Sequence, residues 1–101
     1  MKLDTSPVRQ SEMLAVVRPY VRGLIRKAMR ERGVTYEELA VRLETYGIRT
    51  SENTLIQKVN RMEFSGHFLM VCLKALDVEA VDLRELDVIQ TVRAKRLRVL
   101  G

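Results

Sequence analysis

Four arginines, Arg18, Arg22, Arg26 and Arg30, recur at every fourth position of the chain. On a helix that spacing stacks guanidinium groups along one side. Further on, Asn53 and Gln57 stand four apart and are followed by Lys58 and Arg61. Carboxamides can pair bidentately with an adenine edge, while ammonium and guanidinium groups reach guanine or phosphate oxygens. These residue types at these spacings point to recognition of an anion rather than to bond-making.

Groups for catalysis are sparse. His67 is the one histidine and Cys72 the one cysteine, which excludes cysteine- or histidine-rich metal cages, paired imidazoles and an internal disulfide. Ser65-Gly66-His67 sets a hydroxyl near an imidazole, but no orienting carboxylate or oxyanion-hole motif accompanies it. Cys72 lies in an apolar run, where a thiol is inert. No glycine-rich loop has phosphate-cradling or dinucleotide-binding spacing. No catalytic residue, metal, cofactor or small-molecule substrate is expected.

The elements that must position the basic and amide groups read as helices. Ser6-Pro7 suits a helix start, and a short helix over 7–17 would carry Val8, Met13, Leu14, Val16 and Val17. Pro19 is expected to break, kink or restart it. From 19 to 32 Val17, Val21, Leu24, Ala28 and Met29 form an apolar stripe beside the arginines, and Gly33 supplies the stop. Thr35 and Glu38 form a capping box for a helix with Leu39, Ala40 and Leu43 inward, ended by Tyr46-Gly47. Thr50 or Ser51 caps a third helix over 51–62. Its expected inward residues are Leu55, Ile56, Val59 and Met62, with Glu52, Asn53, Gln57, Lys58 and Arg61 outward. Ser65 caps a fourth, 66–76, apolar nearly all round and hence central. Asp82 and Glu85 suggest one more start, for a helix through Leu86 that continues toward Arg93, although 88–92 is rich in strand-preferring residues.

The fold expected is all-α, a compact bundle of about five helices in one domain over 7–92. A disordered 1–6 and a basic tail at 93–101 would flank it. The 101 residues are 47% hydrophobic with five aromatics, so the core must be aliphatic. Apolar runs are short and interrupted by Arg or Lys, which excludes a membrane span. The opening Met-Lys-Leu-Asp-Thr-Ser-Pro lacks the apolar stretch of a secretory signal, and a cytoplasmic, nucleoid-associated location is expected.

Net charge is +5, unevenly spread. Residues 1–32 carry eight basic and three acidic groups, and 62–92 carry two basic and six acidic. Residues 93–101 carry four basic groups and no acidic one. Two positive regions flanking a negative one favour a polyanion on one side.

The segments Val34-Thr35-Tyr36-Glu37-Glu38-Leu39-Ala40 and Thr54-Leu55-Ile56-Gln57-Lys58-Val59-Asn60-Arg61 resemble the paired helices of phage-repressor-like helix-turn-helix domains. Phe68 to Val78 resembles their closing helix. A bacterial family of uncharacterised domains is closer still, through Gly33 to Ala40 and Glu63 to Leu73. The resemblance covers about residues 20–78 and implies a helical fold with double-stranded DNA as partner. Two features depart from compact repressors: Ala40 to Ile56 is about six residues longer, and Met62 replaces a usual glycine.

In that motif the second helix enters the major groove. The candidate base-edge residues are Asn53, Gln57 and Lys58. The candidate phosphate contacts are Arg22, Arg26, Arg49, Thr50, Arg61, Arg93, Lys95 and Arg96. The function expected is sequence-specific or architectural DNA binding by a bacterial transcription regulator. A non-enzymatic protein-interaction adaptor on the same scaffold is the alternative, with a homodimer through the apolar N-terminal helix. A membrane-surface role for the arginine stripe ranks below both, because the apolar stripe beside it is needed for the core.

Overall fold

The structure, a computed structural model, describes residues 4–100, and of Leu100 only the backbone. Five α-helices follow one another: α1 (Gln10–Arg32), α2 (Tyr36–Thr45), α3 (Glu52–Arg61), α4 (Gly66–Ala75) and α5 (Val88–Leu100). A single 3₁₀ turn, Leu83–Glu85, precedes α5, and there is no strand among the described residues. The all-α class expected from the periodicity is the one observed. No helix among the described residues is long and apolar enough to cross a membrane.

The chain divides into two compact units, residues 21–81 in one and the flanking 1–20 and 82–101 in the other. This differs from the single 7–92 domain expected. The division falls just after Pro19, inside α1.

Pro19 does not end α1, which runs unbroken where two helices were anticipated. Proline leaves the carbonyl four residues back without its helical donor. That residue, Ala15, is exposed, as is Pro19, so water can serve the freed carbonyl.

In the 21–81 unit each helix start has a side-chain cap of the kind the sequence announces. Thr35 Oγ1 accepts the Glu38 amide at 3.1 Å, Ser51 Oγ the Thr54 amide at 3.1 Å, and Ser65 Oγ the Phe68 amide at 3.3 Å. Such caps satisfy orphan donors of the first turn and are worth about 1 kcal/mol each. The Thr35–Glu38 box is only half closed, because the Glu38 carboxylate accepts from Arg42 at 3.0 Å instead of turning back.

The ends are equally regular. After α1 the Val34 amide donates to the Met29 carbonyl, and after α2 the Ile48 amide donates to Leu43. The same reversal follows α3 and α4, through Glu63 to Lys58 and Val78 to Leu73. The pivot residue takes a left-handed backbone each time: Gly33, Gly47, Met62 and Asp77. Glycine adopts that conformation freely, whereas Met62 at φ 58° does so against its Cβ.

These reversals fold the apolar stripes onto one core. Ile25, Ala28 and Met29 of α1 meet Leu39 and Leu43 of α2, Leu55 and Val59 of α3, Phe68, Cys72 and Ala75 of α4, and Leu76, which caps α4. Val34 closes the set, and α2 packs against both α3 and α4.

In the other unit α5 extends through the strand-preferring stretch and through residues assigned to a basic tail. Asp87 Oδ1 caps it by accepting the Gln90 amide at 3.1 Å, while Asp82 caps only the 3₁₀ turn. Val92 is buried. The first of these helices begins at Gln10 rather than Pro7, with the Glu12 carboxylate accepting the Arg9 amide at 3.0 Å. Of the 1–6 stretch expected to be disordered, 1–3 lie outside the described residues, and Asp4 and Ser6 engage Arg96.

Candidate nucleic-acid interface

The sequence of α3 is amphipathic, and its burial follows. Leu55 and Val59 are buried, Ile56 is half-buried, and Asn53, Thr54, Gln57, Asn60 and Arg61 are exposed. Asn53, Gln57 and Asn60 are spaced by four and three, so they share one helix face. Ser51, rather than Thr50, is the cap, which leaves the Thr50 hydroxyl to donate to the Ser51 carbonyl at 3.3 Å. Arg49 is exposed and shares a shallow recess with Thr50, Ser51 and Glu44.

The arginine stripe of α1 reaches the far end of the same helix. Arg22 Nη1 donates to the Asn60 carbonyl at 3.3 Å, and Arg26 Nη2 donates to Asn60 Oδ1. A cation at a helix C-terminus meets the partial negative charge of its free carbonyls. These bonds use a fraction of the five donors on each guanidinium, and the remainder are available to an external acceptor. The fold thus brings Arg22, Arg26, Asn60 and Arg61 together at one end of the exposed amide face.

Charge pairing separates the cations of this unit into two groups. Lys27 and Arg32 pair with Glu31, and Arg42 pairs with Glu38 and Asp77. Among the described residues Arg22, Arg26, Arg30, Arg49 and Arg61 have no carboxylate oxygen within 4.0 Å. Lys58 and Lys74 are likewise without one, so apart from Lys74 on α4 the unpaired positive charge of this unit lies on the arginine stripe and around α3.

Two candidates are placed otherwise than expected. Lys58 is half-buried, its ammonium 4.4 Å from the centroid of the Phe68 ring, which stacks with Phe64 at 6.2 Å. A cation over a ring face is held by the ring's quadrupole, so Lys58 does not project freely beside Gln57. Arg96 is not a loose cation of a tail. Its guanidinium donates to both Glu12 carboxylate oxygens, at 2.9 and 2.7 Å, and to the Ser6 and Pro7 carbonyls. With Asp4 at 3.5 Å besides, its side chain is 13% exposed. These bonds hold the Glu12 carboxyl down at about 2. Arg93 is half-buried on α5 and Lys95 is exposed.

Asn60 is the residue that the sequence reasoning missed. Its position seven after Asn53 was the available signal. The groups considered for chemistry are occupied: Cys72 is fully buried and its thiol is pushed up to about 12 by burial, and Ser65 Oγ serves as a helix cap beside His67.

Residues 18–81 match the model of a family described as "Domain of unknown function (DUF6471)". The matched stretch nearly coincides with the 21–81 unit. No curated protein matches the chain, and no solved structure does.

Proposed function

The chain belongs to the DUF6471 family, and from the surface of its matched unit we propose that it binds double-stranded DNA as a helix-turn-helix transcription regulator, bacterial in type. In this reading α2 and α3 are the paired helices, and α3 presents Asn53 and Gln57 to base edges in the major groove. Arg49 and Thr50 at the start of α3, and Arg22, Arg26 and Arg61 at its end, contact phosphates. The observation that carries the reading is the meeting of two unneutralised arginines of α1 with Asn60 on the exposed α3 face. Phosphates offer those arginines the anionic acceptors that the protein, which gives them only the neutral oxygens of Asn60, does not supply.

The adaptor alternative rests on less. Val8, Met13, Leu14, Val16 and Val17, the apolar residues that argued for a dimer through the N-terminal helix, are each partly covered within the chain.

Salt dependence tests the proposal. Four arginine–phosphate contacts give a slope of log K on log salt of about −3.6, so affinity should fall about 150-fold between 50 and 200 mM salt. The Arg22→Gln/Arg26→Gln variant should halve that slope, with its helicity intact by circular dichroism. An unchanged slope in the folded variant would remove the arginine stripe from the interface. Duplex binding that ignores salt altogether would overturn the proposal.

A further inference from the structure

An open groove of about 710 Å³ lies within the 21–81 unit, between α1, the start of α2 and α3. Its volume is within the roughly 300–1,000 Å³ common for small-molecule sites. Apolar groups line it, among them Met29, Val34 and Ile56, and the Tyr36 ring adds a flat surface. Its polar side chains are Arg26, Arg30, Thr35, Glu52 and Asn60, with the Tyr36 hydroxyl besides, and two of them are cationic. Arg26 and Arg30, one helical turn apart, both line it and are free of carboxylate partners among the described residues. Asn60 orients Arg26 by accepting its hydrogen bond and keeps its own amide N–H groups.

We propose that this groove is a binding site for a small organic anion, a carboxylate or phosphate ester carrying an apolar, ring-sized body. Two guanidinium groups at four-residue spacing can share one oxyanion, each through charge-assisted hydrogen bonds. Adjacent α2 adds its first-turn amides, of which the Glu38 amide is satisfied by Thr35 and the Leu39 amide by the Thr35 carbonyl. Those of Tyr36 and Glu37 have no helical partner. The apolar walls cover the ligand's body. Glu52, also on the wall, repels a second anionic group, so the site selects an anion at one end and a neutral or cationic group at the other.

The location gives the ligand a consequence that rests on the DNA-binding reading. Arg26 and Asn60 belong to both surfaces, so an anion in the groove withdraws Arg26 from phosphate. Ligand and DNA then oppose each other, and by linkage each lowers the other's affinity by the same factor.

The test uses the full chain with phenyl phosphate as probe, followed by amide and methyl NMR shifts. Saturable shifts confined to residues around the groove are expected, with affinity at least tenfold above that for inorganic phosphate. Arg30→Gln should weaken phenyl phosphate at least tenfold, and Lys74→Gln, on the exposed side of α4, should leave it unchanged. Equal affinity for inorganic phosphate, shifts spread over the surface, or an indifferent Arg30→Gln variant would each overturn the site. In a second arm, saturating phenyl phosphate should lower duplex affinity. Phenyl phosphate binding as described, in a protein that does not bind duplex, would uphold the groove and overturn the DNA reading. Duplex binding that phenyl phosphate leaves unchanged would overturn the coupling.

Discussion

The two units of this chain are held by different physics. Residues 21–81 enclose a cluster of twelve buried apolar side chains drawn from α1 to α4 and the Val34 turn. The flanking unit has one deeply buried hydrophobic among its described residues, Val92, and a clasp around Arg96. Apolar burial is non-directional and indifferent to pH, and it scales with area. A guanidinium held by a carboxylate and two carbonyls is directional and depends on the charge of Glu12. The family match follows the unit with the apolar core and stops short of the clasp.

The largest effect should come from cutting into that core. Leu43 is fully buried, whereas Leu83, the first residue of the clasped unit's 3₁₀ turn, is 63% exposed. Leu43→Ala leaves a cavity and should cost about 2–5 kcal/mol. Leu83→Ala should change stability by less than about 0.5 kcal/mol. Urea unfolding of both variants checks the contrast. Equal losses would erase the distinction between the units.

The clasp should respond to acid where the core does not. The carboxyl of Glu12 is lowered from its ordinary 4.5 to about 2. A lowered value means the folded form gains stability above the unfolded pKa and loses it as pH falls toward the folded one. Between about pH 4.5 and pH 2 the protection factors of the α5 amides, exchange rates referred to the intrinsic rate at each pH, should therefore fall progressively, ahead of those in α3 and α4. Glu12→Gln should speed α5 exchange at neutral pH and flatten this acid response. Parallel acid sensitivity of α3 and α5 would show that the clasp is not the weaker element.

What the sequence revealed follows the same division. Helices within 21–81 were legible because cap, apolar stripe and stop signal agree, as at Thr35, Leu39–Leu43 and Gly47. Pro19 was read as a break, kink or restart within a single domain, and the continuity of α1 was hidden. It depends on Ala15 and Pro19 both facing water, which only the folded helix shows. The bounds of the last helix were misread because Asp82 suggests its cap, with the helix continuing toward Arg93, and the four cations from 93 onward suggest a tail. The Asp87 cap and the long-range bond from Arg96 to Glu12, 84 residues away, override both. The candidate interface was half legible. Exposure of Asn53 and Gln57 follows from helical spacing, whereas the arrival of Arg22 and Arg26 at Asn60 depends on packing between distant segments. Lys58 was drawn aside by Phe68, a partner that spacing within one helix cannot reveal.

The smallest effect concerns strain inside the well-packed unit. Its four helix reversals place Gly33, Gly47, Met62 and Asp77 in left-handed backbone. For a residue with a Cβ that conformation costs about 1–2 kcal/mol. Asp77 is better suited to it, since aspartate visits this region more readily than most residues, and its carboxylate also lies 3.7 Å from Arg42. Met62 has no such compensation beyond the half-burial of its side chain. Met62→Gly removes the Cβ conflict but frees the unfolded chain by about 0.5–1 kcal/mol. The net expectation is a gain of about 0.5 kcal/mol, or about 2–4 °C in Tm. Asp77→Gly should give no gain, because it also removes the ion pair. A lower Tm for Met62→Gly would mean that the packing of this side chain, rather than backbone freedom, determines how α3 turns into α4.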